Sequence, residues 1–269
     1  MIKVALHGVP RSGTSWVGEI FNSSPNTIYR FQPLFSYALK DFLTPSSTAK
    51  EINSFFDQLI VTEDDFIQQK AKREAGILPQ FSKESATHIV YKEVRYINIL
   101  CNMMQNTDDV FLVGIIRNPL SVINSWIKAP REFRGDLGWN KMEEWRYALK
   151  KNLNRSEEFN GYEKWKEAAY IFHRLRDFYP ERTCIFCYHD LIVNPIKITQ
   201  CLFEAVSLPF TVSTEKFITE STGSDHPDPY SVYRHQATDD NWKRELNPKI
   251  RDEIYADLHG TELERYILG

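Results

Sequence analysis

The chain has 269 residues, 42% of them hydrophobic, enough to bury a full core as one domain with or without insertions. Its formal net charge of −3 leaves no basic excess to neutralise a nucleic-acid backbone, which argues against nucleic acid as a partner. No apolar run approaches the ~20 residues a membrane helix needs, and a first strand starting at Ile2 predicts a chain without a signal peptide.

In chain order, Ile2-Lys3-Val4-Ala5-Leu6-His7 reads as a short buried strand, and Trp16-Val17-Gly18-Glu19-Ile20-Phe21 has the apolar spacing of a helix. Between them lies Gly8-Val9-Pro10-Arg11-Ser12-Gly13-Thr14-Ser15. A strand, a small-residue turn and a helix start bring backbone N–H groups together on an anion. Arg11 adds a fixed charge, and Thr14 and Ser15 add hydroxyl donors. The spacing from Gly8 to Gly13 fits a P-loop, but the slot for its lysine holds Thr14, and the cation sits earlier, at Arg11. A plain helix-capping turn is the alternative.

Thr27–Phe31 predicts a second strand, and the mixed, charged residues 34–76 predict two or three surface helices. His88-Ile89-Val90-Tyr91-Lys92-Glu93-Val94 is a third strand. Val110–Ile116 is an uninterrupted apolar run, as suits a strand covered on both faces. Arg117 emerges at its carboxyl end, where ligands bind in open α/β sheets. Pro119 is placed to begin a helix, with Ser125 two turns along it. An arginine with a hydroxyl suits the several acceptor oxygens of a phosphate monoester.

Residues 128–160, rich in Trp, Arg, Glu, Gly and Asn, predict a mobile insertion. A helix over 162–179 stops at Pro180, followed by a strand at 182–188 and a helix at about 195–206. Residues 209–240 read as loop, and a helix over 248–258 closes the chain. This alternation predicts an α/β fold: three layers around a central, mostly parallel sheet, with a P-loop-like anion loop. Cys184 and Cys187 form a C-x-x-C pattern, but residues three apart on a strand face opposite sides, so no disulfide between them is expected; separately, the sequence shows no metal-ligand spacing.

Arg11-Ser12-Gly13-Thr14-Ser15-Trp16 resembles the 5′-phosphosulfate loop of sulfotransferases that use 3′-phosphoadenosine 5′-phosphosulfate (PAPS). Arg117 through Ser125 resembles their 3′-phosphate motif, in the same order and about one hundred residues on. Tyr29-Arg30-Phe31-Gln32-Pro33-Leu34 is similar to the Phe-Glu-Pro-Leu segment of the carbohydrate sulfotransferases. Tyr91-Lys92-Glu93-Val94-Arg95 and Tyr188-His189-Asp190-Leu191 resemble two further segments of the same family. The resemblance covers most of the chain as a single domain, 1–269, with helical insertions at about 34–85 and 128–160 forming the acceptor side.

That resemblance implies transfer of a sulfuryl group from PAPS to an acceptor hydroxyl, carbohydrate favoured, with 3′-phosphoadenosine 5′-phosphate (PAP) as product and no metal. Golgi members carry a membrane anchor, so a chain lacking one is expected to be cytoplasmic. Arg11 would stabilise the leaving oxygen and Lys92 would hold the transferring sulfonate. Ser12, Gly13, Thr14, Ser15, Arg117 and Ser125 would bind the two phosphate ends. Trp16 and Tyr188 would face the adenine, and Arg234 and Lys243 would close on the 3′-phosphate from a C-terminal loop. Each has a plain reading beside it: core packing for Trp16, a solvated strand end for Lys92, an exposed charge cluster for Arg234 and Lys243. For the base, the matching positions differ. Gln32 stands where the relatives place glutamate and Val94 where others place histidine, leaving Glu93 as the substitute. His7 reads as a buried, hydrogen-bonded residue, and His226 and His235 lie in the C-terminal loop. Trp139, Trp145, Arg131, Arg134 and Arg146 can line a sugar cleft or cover the core. A P-loop kinase or NTPase and a non-catalytic PAP-binding module are the competing functions.

Overall fold

Apolar runs at the strand positions need cover on both faces, and the fold supplies it. The computed structural model describes residues 1–224, 231–233 and 238–267. Its sheet comprises β1 (Ile2–His7), β2 (Thr27–Phe31), β3 (His88–Glu93), β4 (Val110–Ile116) and β5 (Thr183–Cys187). They run parallel in the order β2-β3-β1-β4-β5. Because every pair is parallel, all carboxyl ends meet on one edge, with His7 beside Glu93 and Gly114.

Side chains alternate between two core layers. Ala5, Ile89, Tyr91 and Leu112 face one; Val4, Leu6, Val90 and Val113 face the other. The first layer packs under helices Ala49–Val61, Leu100–Asn106, Pro119–Ile127, Tyr162–Phe178 and Pro248–Leu258. The second packs under Thr14–Ser23, Pro195–Ala205 and Val212–Gly223. Gly114 lets the long helix Tyr162–Phe178 approach: a Cβ there would lie 3.2 Å from Phe172 Cγ. Cys184 packs with the second layer and Cys187 with the first, as strand alternation demands, and both thiols are free.

Two stretches differ from the sequence expectation. Residues 128–160 are not a loose insertion: Phe133, Trp145 and Phe159 are buried in the first core layer, and the Asn152 and Asn160 side chains bond each other at 3.0 Å. Their polar composition concealed three aromatic anchors. Within 209–240, Val212–Gly223 is helical, with Thr211 Oγ1 accepting from the Thr214 N–H and Phe217 and Ile218 buried. Its serines and threonines weaken the helical signal. No described helix is long and apolar enough to cross a membrane.

Candidate anion-binding site and transfer centre

The turn between β1 and the helix Thr14–Ser23 is shaped by its glycines. Gly8 has no room for a side chain, since a Cβ would lie 2.8 Å from Ile115 Cγ2 and 2.9 Å from the Ile115 carbonyl. Gly13 sits at φ 89°, a left-handed conformation, and the Tyr188 ring covers it so closely that a Cβ would meet Cδ2 at 2.6 Å. Arg11 also takes a left-handed φ of 72°. No side chain caps the helix start, so the first-turn N–H groups and the positive end of the helix dipole face the turn. Ser12 Oγ is fully buried and finds no hydrogen-bond partner among the described residues.

Arg11 ties the two sequence motifs together. Its Nε donates to Ser125 Oγ at 2.9 Å, and its carbonyl accepts from Arg117 Nη1 at 2.7 Å. Arg117 leaves the end of β4 with its guanidinium 4.7 Å from the Tyr188 ring centroid, and its own carbonyl accepts from Trp165 Nε1 at 2.9 Å. Arg11, Arg117, Ser121, Asn124, Ser125 and Lys128 line one cavity of about 250 Å3. Acidic groups answer those cations. Asp239 Oδ1 accepts from Arg117 Nε at 2.8 Å and lies 2.6 Å from Nη2, while Glu245 takes Lys128 at 2.8 Å and Asn124 at 2.7 Å. Asp239 is held from the backbone by Ser121 Oγ at 2.8 Å and Trp242 Nε1 at 3.1 Å. Its Oδ2 has no partner among the described residues.

A second cluster lies at the ends of β3 and β1. Lys92 is buried with Nζ 4.6 Å from the Phe31 ring centroid. Burial pushes its ammonium below the usual lysine range, against the pull of Glu93 and Glu132. Burial pushes the Glu93 carboxyl up, opposed by Lys92. Glu93 Oε1 accepts from the Leu34 N–H at 2.8 Å, so it caps the turn Pro33–Phe35 that follows Gln32. Gln32 itself is half-buried at φ 42°, its N–H donating to the Lys92 carbonyl at 2.8 Å. His7 is buried, with Nε2 3.0 Å from the Tyr91 hydroxyl. Burial, then the charge of Lys92, pushes its imidazole down to about 3. Neighbouring strand residues do face opposite ways here: Glu93 lies on the Tyr91 face and Lys92 on the Val90 face.

No protein-family model matches the chain, and no curated protein is similar to it. Solved structures are similar. Mouse sulfotransferase SULT7A1 complexed with PAP matches with a TM-score of 0.57 at 13% identity, over 99% of this chain and 88% of that one. The sulfotransferase domain of the Synechococcus PCC 7002 olefin synthase matches at 0.54 and 16% identity, over 94% of each chain. Retinol dehydratase in complex with androsterone and inactive cofactor PAP matches at 0.55 and 13% identity, over 97% of this chain and 82% of that one. This is the sulfotransferase fold.

Within the sulfotransferase fold of this chain, the residues singled out by sequence separate into two groups. Arg11, Ser12, Gly13, Thr14, Ser15, Arg117, Ser125 and Tyr188 come together around the turn and its cavity. Lys243 does not: it is exposed, with Nζ 5.8 Å from the Trp242 ring centroid and no place in the cavity wall. Trp16 is 9% exposed and donates from Nε1 to Ser221 Oγ at 3.0 Å, which fixes its ring in the second core layer. Arg234, His226 and His235 lie outside the described residues. Trp145 is buried, Arg146 pairs with Glu163 and Asp257, and Arg131 and Arg134 line a surface groove beside Lys128. Sequence reasoning missed Asn124, Lys128, Glu132, Asp239 and Glu245. Lys128 follows Ser125 by three residues and Asn124 by four, one-turn helical spacings that signal a shared face; the three acids carry no such signal.

Proposed function

We propose that the protein is a PAPS-dependent sulfotransferase. The observation that carries this reading is the meeting of Arg11, Arg117 and Ser125 at one cavity beside the unpartnered, buried Ser12 hydroxyl. A nucleotide with anionic groups at both its 5′ and 3′ ends suits such a site better than one with a single anionic end. Support also comes from the similar structures, two of which were crystallised with PAP.

In this reading PAPS is the donor substrate. Ser12, Thr14, Ser15 and the N–H groups of the first helical turn receive its 5′-phosphosulfate, and Arg117 with Ser125 receives the 3′-phosphate. Tyr188, wedged between Gly13 and Arg117, offers a face to the adenine end; Trp16, anchored by Ser221, packs behind the loop. Transfer is in line: the acceptor oxygen bonds to sulfur as the bond to the 5′-phosphate oxygen breaks. Catalysis is then positioning and stabilisation of charge. Arg11 meets the charge growing on the leaving oxygen, but a guanidinium holds its proton, so it acts by charge alone. Lys92, whose ammonium burial makes a stronger acid than an ordinary lysine, holds the sulfonate. Glu93 supports Gln32 by capping its turn. Of the two loop cations, Arg234 is the candidate for the 3′-phosphate; Lys243, turned outward beside Trp242, is not.

The acceptor is a hydroxyl compound. A carbohydrate is favoured by the likeness of the Gln32 and Lys92 segments to the carbohydrate enzymes, and the acceptor side is assigned to residues 34–85 and 128–160. Titration calorimetry with PAP against ATP, followed by labelled-sulfate transfer from PAPS in a chelator, tests the reading. PAP binding with chelator-resistant transfer is expected. Preference for ATP with magnesium would make this a kinase or NTPase; PAP binding with no transfer to any acceptor would make it a binding module.

A further inference from the structure

Sulfuryl transfer to a hydroxyl needs a proton acceptor; Gln32 is an amide and Val94 is apolar, which leaves the carboxylates near Lys92. Two carboxylates act electrostatically on Lys92, namely Glu93 and Glu132. They differ in reach. Glu93 is 0% exposed and its Oε1 is engaged by the Leu34 N–H. The Glu132 side chain is 20% exposed, and its Oε1 lies 3.9 Å from Arg11 Nη1.

Its position is also well held. Glu132 sits in the loop after the helix Pro119–Ile127, where the N–H groups of Glu132 and Phe133 donate to the Ala129 carbonyl at 2.9 and 2.8 Å. Phe133, the next residue, is anchored edge-on between Trp126 and Trp139, at centroid distances of 5.4 and 5.7 Å. The loop therefore presents Glu132 to the Nη1 of Arg11, away from the Nε that holds Ser125, and within electrostatic reach of Lys92. Lys151 is the other cation that feels it.

The geometry points to Glu132 as the general base for the acceptor hydroxyl, an assignment that rests on the sulfotransferase reading. Glu132 takes the hydroxyl proton as the acceptor oxygen bonds to sulfur. The S–O bond to the 5′-phosphate breaks, its electron pair leaves on the phosphate oxygen, and the proton passes from Glu132 to water across its exposed edge. Arg11 then touches both the base and the leaving group, which keeps the two ends of the reaction in line.

A series of substituted phenols, from phenol itself to nitrophenols that are already ionised at neutral pH, is assayed with labelled PAPS. The unsubstituted protein is compared with Glu132→Gln and Glu93→Gln, and PAP calorimetry on each variant checks that the nucleotide site is folded. Loss of a general base slows turnover by roughly 10²–10⁴-fold. Glu132→Gln is expected to show that loss with phenol and little change with ionised nitrophenols, with PAP affinity retained. An equal loss across the whole series would make Glu132 only a brace for Arg11 and overturn the proposal, and the graded loss appearing in Glu93→Gln instead would move the base there. If the unsubstituted protein binds PAP yet transfers sulfate to no hydroxyl acceptor, the transferase reading itself fails, and this one with it.

Discussion

Arg117 does three jobs at once. It braces the Arg11 carbonyl, lies over Tyr188 and holds Asp239. A guanidinium fork that makes several charged hydrogen bonds is not replaced by an ammonium. Arg117→Ala should weaken PAP binding by about 1.5–3 kcal/mol per charged hydrogen bond lost, with little effect on adenosine 5′-phosphate, which lacks the 3′-phosphate; Arg117→Lys should recover only part. Equal losses for both ligands by calorimetry would count against Arg117 as the 3′-phosphate residue. His7 sets a pH dependence. Its folded pKa of about 3 lies below the ordinary 6.5, so below 6.5 the unfolded chain binds the extra proton and stability falls with pH. Between pH 7 and 5 this group should remove about 2 kcal/mol, at roughly 1.4 kcal/mol per pH unit once below its unfolded pKa. Urea unfolding at the two pH values should show a smaller difference for His7→Gln.

At the level of elements, the segment 238–242 stands against the cavity as a competitor for its cations. Asp239, 4% exposed at its side chain, has its carboxylate on Arg117, where the proposed 3′-phosphate would bind. A phosphate arriving there must displace it. Asp239→Asn should therefore tighten PAP binding while leaving adenosine 5′-phosphate unchanged, and calorimetry on both ligands reads this directly. Weaker PAP binding in the variant would mean that Asp239 instead pre-orients Arg117. Burial also decides which cations near this segment face the cavity. Lys243 belongs to the short helix Trp242–Glu245, whose buried Trp242 turns it outward, while Lys128, from another helix, lines the cavity. Linear neighbours of a motif are poor guides once a helix chooses its buried face.

Over the whole molecule, the site depends on how closely the long helix Tyr162–Phe178 packs on the sheet. Phe172 is 1% exposed over Gly114, and Trp165 from the same helix fixes the Arg117 carbonyl. Phe172→Ala should cost about 3–5 kcal/mol, the range for emptying a buried aromatic site, read as a lower urea midpoint; a cost below about 1 kcal/mol would mean the helix is not seated as described. Much of this architecture was legible in the chain itself. Short apolar runs such as Val110–Ile116, too short and too β-branched for a buried helix, suit strands covered on both faces, and the glycine turn after β1 and the arginine after β4 follow from local order. What tertiary structure alone decided are contacts across great sequence distance: Arg11 to Ser125, Arg117 to Asp239, and Glu132 to Arg11. Burial periodicity is written locally in the residues. The meeting of two charged side chains more than one hundred residues apart depends on the register of the sheet and the tilt of every helix on it.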